Sequence, residues 1–241
     1  MTENKDDESL ISHIEALRKT LLKCLVSIAV VLPFTFLIAP KGLNYLIKIL
    51  IGENKITLNY FSPVEVFLIQ IKLAVILAIV VCFPYIIKQI WNFILPALYE
   101  NEKKFIKSAV FVSSFLFIFG VLFSLFIILP FIINFGLSFA GENIKALFGI
   151  SDLANLTLTL SLIFGLMFQT PLVVYFLIKS GVVEYNSISD KRPYVVVILL
   201  IIAAILTPPD VVSQIMLFIP TYLLFELGLL FSKGIKKWKN I

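Results

Sequence analysis

The chain has 241 residues, 60% of them hydrophobic, with a mean hydropathy of +1.02 and a formal charge of +5. That composition excludes a soluble globular domain and points to an integral membrane protein. A single histidine and two separated cysteines, Cys24 and Cys82, leave almost no material for a metal site. Nothing resembles a phosphate-binding glycine loop, a nucleophile elbow or a zinc-protease motif. Neither catalytic residues, a cofactor, a metal nor a nucleic-acid partner is therefore expected.

The N-terminal segment carries Asp6, Asp7 and Glu8 and no apolar stretch of the kind a cleaved leader needs, so a retained, cytoplasmic N-terminus is expected. Ser12-x-x-Glu15 can form a capping box that opens a helix with Ile14, Leu17 and Leu21 on one face. Glu15 then has three readings: a cap, an i,i+4 partner of Lys19, or an acid presented to an incoming cation. Charge-free runs beyond this point divide the chain into six spans, at about 21–40, 66–87, 106–133, 153–178, 194–207 and 211–231. The expected fold is an all-α integral membrane protein, one domain over residues 1–241.

Between the first two spans, Lys41 to Phe61 reads as an ordered external loop, as does Asn134 to Asp152 later in the chain. Ser62-Pro63-Val64-Glu65 has the residues of a helix start: Ser62 to cap, Pro63 for the first turn, Glu65 to reach back. Lys72 is the one charge inside the second span. After it comes Trp91-Asn-Phe93-Ile-Leu-Pro96-Ala-Leu98-Tyr99-Glu-Asn-Glu102-Lys-Lys104, which sets acids among lysines at the expected cytoplasmic surface. Acids at the head of the following helix also suit its macrodipole. In the fourth span, Gln169 precedes Pro171, where it can satisfy a carbonyl that the proline frees. Gln214 and Glu226 are further polar groups in or near spans; such groups are costly in lipid and usually face the bundle, a wet cavity or a partner helix.

The last two apolar runs, Tyr194–Leu206 and Val211–Phe225, are short and divided by Thr207-Pro-Pro-Asp210, whose acid can cap the helix that follows. Thirteen apolar residues make about 20 Å of helix against a hydrocarbon core of about 30 Å. Two short crossing helices or a re-entrant hairpin both fit. Fifteen of the twenty basic residues fall in the N-terminal segment, the second-to-third and fourth-to-fifth loops and the tail, which predicts an N-in, C-in topology.

In order along the chain, His13-Ile-Glu-Ala-Leu-Arg18, Ser62-Pro-Val-Glu65-Val-Phe67, Phe83-Pro84, Gln89-Ile-Trp91-Asn-Phe93, Pro96-Ala-Leu-Tyr99-Glu-Asn-Glu102, Phe119-Gly120, Phe164-Gly165 to Pro171 and Leu206-Thr-Pro-Pro-Asp210-Val-Val-Ser-Gln214 form a set. Together they resemble the TatC family, the multispanning core of the twin-arginine protein translocase. The resemblance implies a six-helix, cup-like protein with short fifth and sixth helices. It implies a receptor that binds Arg-Arg signal peptides of folded cargo at Glu15 and Glu102, with Arg18, Phe93, Pro96, Leu98 and Tyr99 beside them. It also implies TatA-type and TatB-type single-span partners in a multimeric Tat complex, docking near Thr207, Gln214 and Met216. Surrounding lipid, a bacterial plasma (inner) membrane and the proton-motive force complete that picture; an organelle membrane is the alternative location. Many relatives carry Glu where this chain has Gln169, and an amide cannot carry a proton. The rival readings are a small-molecule or ion transporter using Lys72, Gln169 and Glu226, and a membrane-protein scaffold.

Overall fold

A computed structural model describes residues 3–51, 57–94, 103–138, 147–206 and 211–233. Nine α-helices are described: α1 Glu3–Ile51, α2 Glu65–Ile94, α3 Lys103–Phe123, α4 Leu129–Ser138, α5 Ile150–Met167, α6 Thr170–Lys179, α7 Tyr185–Asp190, α8 Arg192–Leu206 and α9 Val211–Ser232. A π-helical turn, Ser124–Ile128, joins α3 to α4. Two three-residue strands, β1 Thr57–Asn59 and β2 Leu147–Gly149, pair in parallel with Leu58 opposite Phe148. The chain packs as two compact units, one of residues 1–43 and 70–114, the other of 44–69 and 115–241.

Five helical segments are long and apolar enough to cross a membrane: His13–Ile49, Glu65–Ile94, Lys107–Ser138, Ile150–Lys179 and Val211–Ser232. Helix α8 has 15 residues, about 22 Å at 1.5 Å per residue, and is the short apolar helix the sequence anticipates. Helix α9 runs past Glu226 to Ser232, 22 residues, because its apolar pattern resumes at Leu227.

Two expected loops are partly helical. Helix α1 continues through Pro33 and Pro40 to Ile51, so Lys41–Ile51 is helix and not loop. Proline is tolerated in apolar helices where neighbouring groups take up the carbonyl it frees. Asn134–Ser138 likewise belongs to α4. The rest of the expectation holds in part, since Thr57–Asn59 and Leu147–Gly149 are ordered and pair with each other.

In the first unit, small and branched residues bring α1 and α2 together. Ala39, Leu73, Ala74 and Ala78 are all buried. The Thr35 hydroxyl donates to the Ala74 carbonyl at 2.8 Å, and the Cys82 thiol lies 3.3 Å from the Ser27 carbonyl as a weak donor. Both polar groups are thereby satisfied within protein, as burial in an apolar medium requires. Trp91 is buried, its indole N–H 3.5 Å from the Ser113 hydroxyl.

The second unit is built on a close crossing of α3 and α5. A Cβ on Gly120 would lie 2.5 Å from the Phe164 carbonyl oxygen, and one on Gly165 would lie 2.6 Å from the Phe117 ring. Without a hydrophobic force between helices in lipid, van der Waals packing drives association, and small residues allow it. Phe117 and Phe164 are fully buried at this crossing. Around it lies the core of Ile128, Leu129, Ile133, Leu153, Leu160, Ile163, Phe168 and Leu217. A second close approach, Gly228 of α9 against the Pro171 backbone of α6 (2.9 Å from an added Cβ), seats a smaller core of Val174, Ile178, Phe225 and Leu229.

Each break in these helices has a chemical cause. Pro130 cannot donate to Phe126, and the ladder adjusts one residue earlier, where the Leu129 N–H donates to the Ser124 carbonyl five residues back. Pro171 similarly ends the α5 ladder. The Gln169 N–H bonds the Leu166 carbonyl, which leaves the Gly165 carbonyl without its usual helical donor. The Gln169 side-chain amide donates to Gly165 at 3.4 Å, and the Thr170 hydroxyl donates to Met167 at 2.6 Å. Gln169 therefore does satisfy a carbonyl, but the one freed directly by Pro171, that of Met167, is taken by Thr170.

Candidate functional site

Three polar constellations stand out among the described residues. The first lies on the N-terminal half of α1. Glu15 projects into solvent with its side chain 64% exposed, and Lys19 one turn on comes to 3.6 Å of its carboxylate. Thus the i,i+4 pair is formed, but at a length and exposure that make it weak, leaving most carboxylate acceptor capacity open. Arg18 is exposed beside it. In the same unit the His13 ring lies 4.8 Å from the Phe93 ring of α2. The two rings border an open pocket of about 530 Å³, lined also by Ala16, Lys19, Thr20, Lys23, Gln89 and Asn92. Glu15, Arg18 and Phe93 are thus placed on the same two helices. Pro96, Leu98, Tyr99 and Glu102 lie outside the described residues.

The second constellation fixes the head of α2. Glu65 accepts from the backbone N–H groups of Phe61 (2.8 Å) and Ser62 (3.3 Å) through one oxygen, and from Ser151 (3.0 Å) through the other. The capping arrangement read from Ser62-Pro63-Val64-Glu65 is present in its reach-back half. What the local pattern does not contain is the third donor, 86 residues away at the start of α5. Glu65 thus ties the strand pair and two helix starts together, and its donors are all backbone groups.

The third constellation is the one sequence reasoning missed. Arg192, the first residue of α8, makes two bonds to Glu226 of α9, Nε to Oε1 at 2.7 Å and Nη2 to Oε2 at 3.2 Å. The Tyr222 hydroxyl donates to Oε1 at 3.0 Å, and Arg192 Nη1 donates to the Ser189 hydroxyl at 2.8 Å. A planar fork meeting a carboxylate in this way is the strong form of ion pair. Glu226, expected as an intramembrane polar group, accepts three hydrogen bonds from side chains of α8 and α9. Its partner lies 34 residues earlier in the chain, beyond any helical periodicity.

Of the remaining expected residues, Gln214 donates through its side-chain amide to the Leu200 carbonyl at 3.0 Å, so it fastens α9 to α8. Met216 is half-buried on α9, and Lys72 is exposed on α2. Thr207 and Asp210 lie outside the described residues.

Residues 12–220 match the family model for the Sec-independent protein translocase protein (TatC). The chain belongs to the TatC family. The TatC protein of Haemophilus influenzae is 36% identical over 238 residues, covering 97% of this chain and 92% of that protein. TatCy of Bacillus subtilis is 35% identical, covering 94% and 89%. A solved structure described as the twin arginine translocase receptor TatC in DDM superposes with a TM-score of 0.85 at 30% identity, covering 92% of this chain and 99% of that one. This TatC-family chain is thus a helical, multi-pass membrane protein and a protein-translocase component.

Proposed function

We propose that the chain is the receptor and core subunit of a twin-arginine translocase, binding Arg-Arg signal peptides of folded proteins at the cytoplasmic face of a bacterial inner membrane. The observation that carries this reading is Glu15: an exposed carboxylate on α1 held, among the described residues, only by a long pair to Lys19, on the two helices that also bring Phe93 into place. A guanidinium offers a planar set of donors that a carboxylate accepts two at a time, as Arg192 and Glu226 do elsewhere in the chain. Such a donor displaces a single-point ammonium readily, so Lys19 acts as a placeholder that an incoming arginine replaces. Glu102 is the second acid for the second arginine, with Pro96, Leu98 and Tyr99 around it and Arg18 at the border.

In this reading α8 crosses the membrane as a short fifth span, giving six spans with both termini inside. Single-span partners of TatA and TatB type dock on α8 and α9 near Thr207, Gln214 and Met216. The role is transport driven by the proton-motive force, with no covalent chemistry at any residue. Transport of a twin-arginine reporter in cells carrying Glu15→Ala or Glu102→Ala tests it. Export should collapse in each variant while the protein accumulates normally in the membrane; normal export from either would sink the assignment of that acid.

A further inference from the structure

The pocket between α1 and α2 has chemistry opposite to that of Glu15. Lys19 and Lys23 bring ammonium groups to its lining, Gln89 and Asn92 side-chain amides and His13 an imidazole, and no carboxylate lines it among the described residues. On the α1 side the lining includes the small Ala16 and Thr20, whose hydroxyl donates to the Ala16 carbonyl at 2.9 Å. Ala16, Thr20 and Lys23 follow at helical spacing, so one face of α1 supplies this wall. The level matters as well. Lys23 immediately precedes the charge-free run of α1, and Lys88 closes that of α2, which puts the pocket where apolar helix gives way to polar chain. Continuing the Lys19–Lys23 ridge of α1 into its apolar run at helical spacing, Val26, Val30 and Phe34 are 60%, 61% and 66% exposed.

We propose that this pocket binds the phosphate group of an anionic phospholipid, with Lys19 and Lys23 on the phosphate, Gln89 and Asn92 on the polar headgroup, and an acyl chain along Val26, Val30 and Phe34. Basic pockets between membrane helices on the cytoplasmic side are suited to anionic headgroups. These exposed apolar side chains distinguish a lipid from a soluble phosphate, which would gain nothing from them. Lys19 belongs to both arrangements. A headgroup in the pocket draws its ammonium off Glu15, so lipid occupancy leaves the carboxylate free for another cation.

The test is native mass spectrometry of the full-length protein released from vesicles of equal phosphatidylglycerol and phosphatidylcholine, counting retained lipids. Retention should favour phosphatidylglycerol, and K19Q and K23Q should each lower it about fivefold. E15Q should raise it, because the competing acceptor for Lys19 is gone, a direction that loss of fold does not produce. Excess inorganic phosphate should leave the bound lipid in place. Equal retention of the two lipids, undiminished retention in the K19Q/K23Q double variant, or removal by inorganic phosphate would each overturn the proposal. None of these readouts involves a signal peptide, so failure here leaves the receptor reading untouched, and the reverse holds too.

Discussion

Replacing Gly120 by alanine tests whether the α3–α5 crossing is set by backbone contact. The new methyl carbon would sit 2.5 Å from the Phe164 carbonyl oxygen, 2.9 Å from Phe168 Cγ and 3.0 Å from Gly165 Cα. Favourable heavy-atom contacts lie near 3.5 Å, so the helices must separate by about 1 Å. Two of these neighbours are backbone atoms, which cannot swing aside as a side chain can. Overpacking of this kind costs about 1–3 kcal/mol, against which alanine gains about 1 kcal/mol of helix propensity over glycine. The expected net effect is a loss of up to about 2 kcal/mol. Gly136, in α4, provides the control, because an added Cβ there meets nothing within 4 Å. Gly136→Ala should be neutral or gain up to about 1 kcal/mol. Both variants are read by helicity during titration of mixed micelles with SDS. If Gly120→Ala is as stable as Gly136→Ala, the crossing is not limited by backbone approach and the packing argument fails.

Phe164→Ala removes a fully buried ring from the same crossing and should cost about 3–5 kcal/mol in that titration; a loss under about 1 kcal/mol would mean the site collapses without penalty. Arg192→Leu should lower the thermal midpoint in detergent more than the Arg192→Leu/Glu226→Leu double variant does. The single change leaves Glu226 without its fork, and an unpartnered acid is costlier than an apolar pair. Equal midpoints would show that the pair is incidental. Glu65→Ala removes the acceptor for three backbone donors; exchange of the Ser151 amide with deuterium should quicken, and unchanged exchange would deny the tie.

The membrane spans are legible in the sequence because charge-free runs and helix length answer to the same constraint, the thickness of the apolar layer. Their ends are less so. Pro40 and Lys41 read as a stop, yet α1 continues to Ile51, since proline ends a helix reliably only where water competes for the freed carbonyl. Pro130 marks an irregularity without revealing that the ladder would lengthen into a π-turn. The sequence holds no Gly-xxx-Gly pair to mark the crossing, because Gly120 and Gly165 meet across two helices. Arg192 and Glu226 were separately visible as a loop cation and a membrane acid, and only the packing of α8 on α9 joins them. Glu15 illustrates the reverse: two of its readings, pair and exposed acid, coexist, because a pair 3.6 Å long does not exhaust a carboxylate. Glu102 lies outside the described residues and stands on its sequence position alone.

The central claim is recognition of paired arginines by acids on this surface. Site-specific photo-crosslinking from positions adjoining Glu102, and from Phe93, to a signal peptide carrying Arg-Arg and to its Lys-Lys counterpart tests it most directly. Strong labelling of the Arg-Arg peptide and little of the Lys-Lys peptide are expected, since a carboxylate takes two bonds from a guanidinium and an ammonium supplies only a point charge. Equal labelling of both peptides, or of neither, would contradict it.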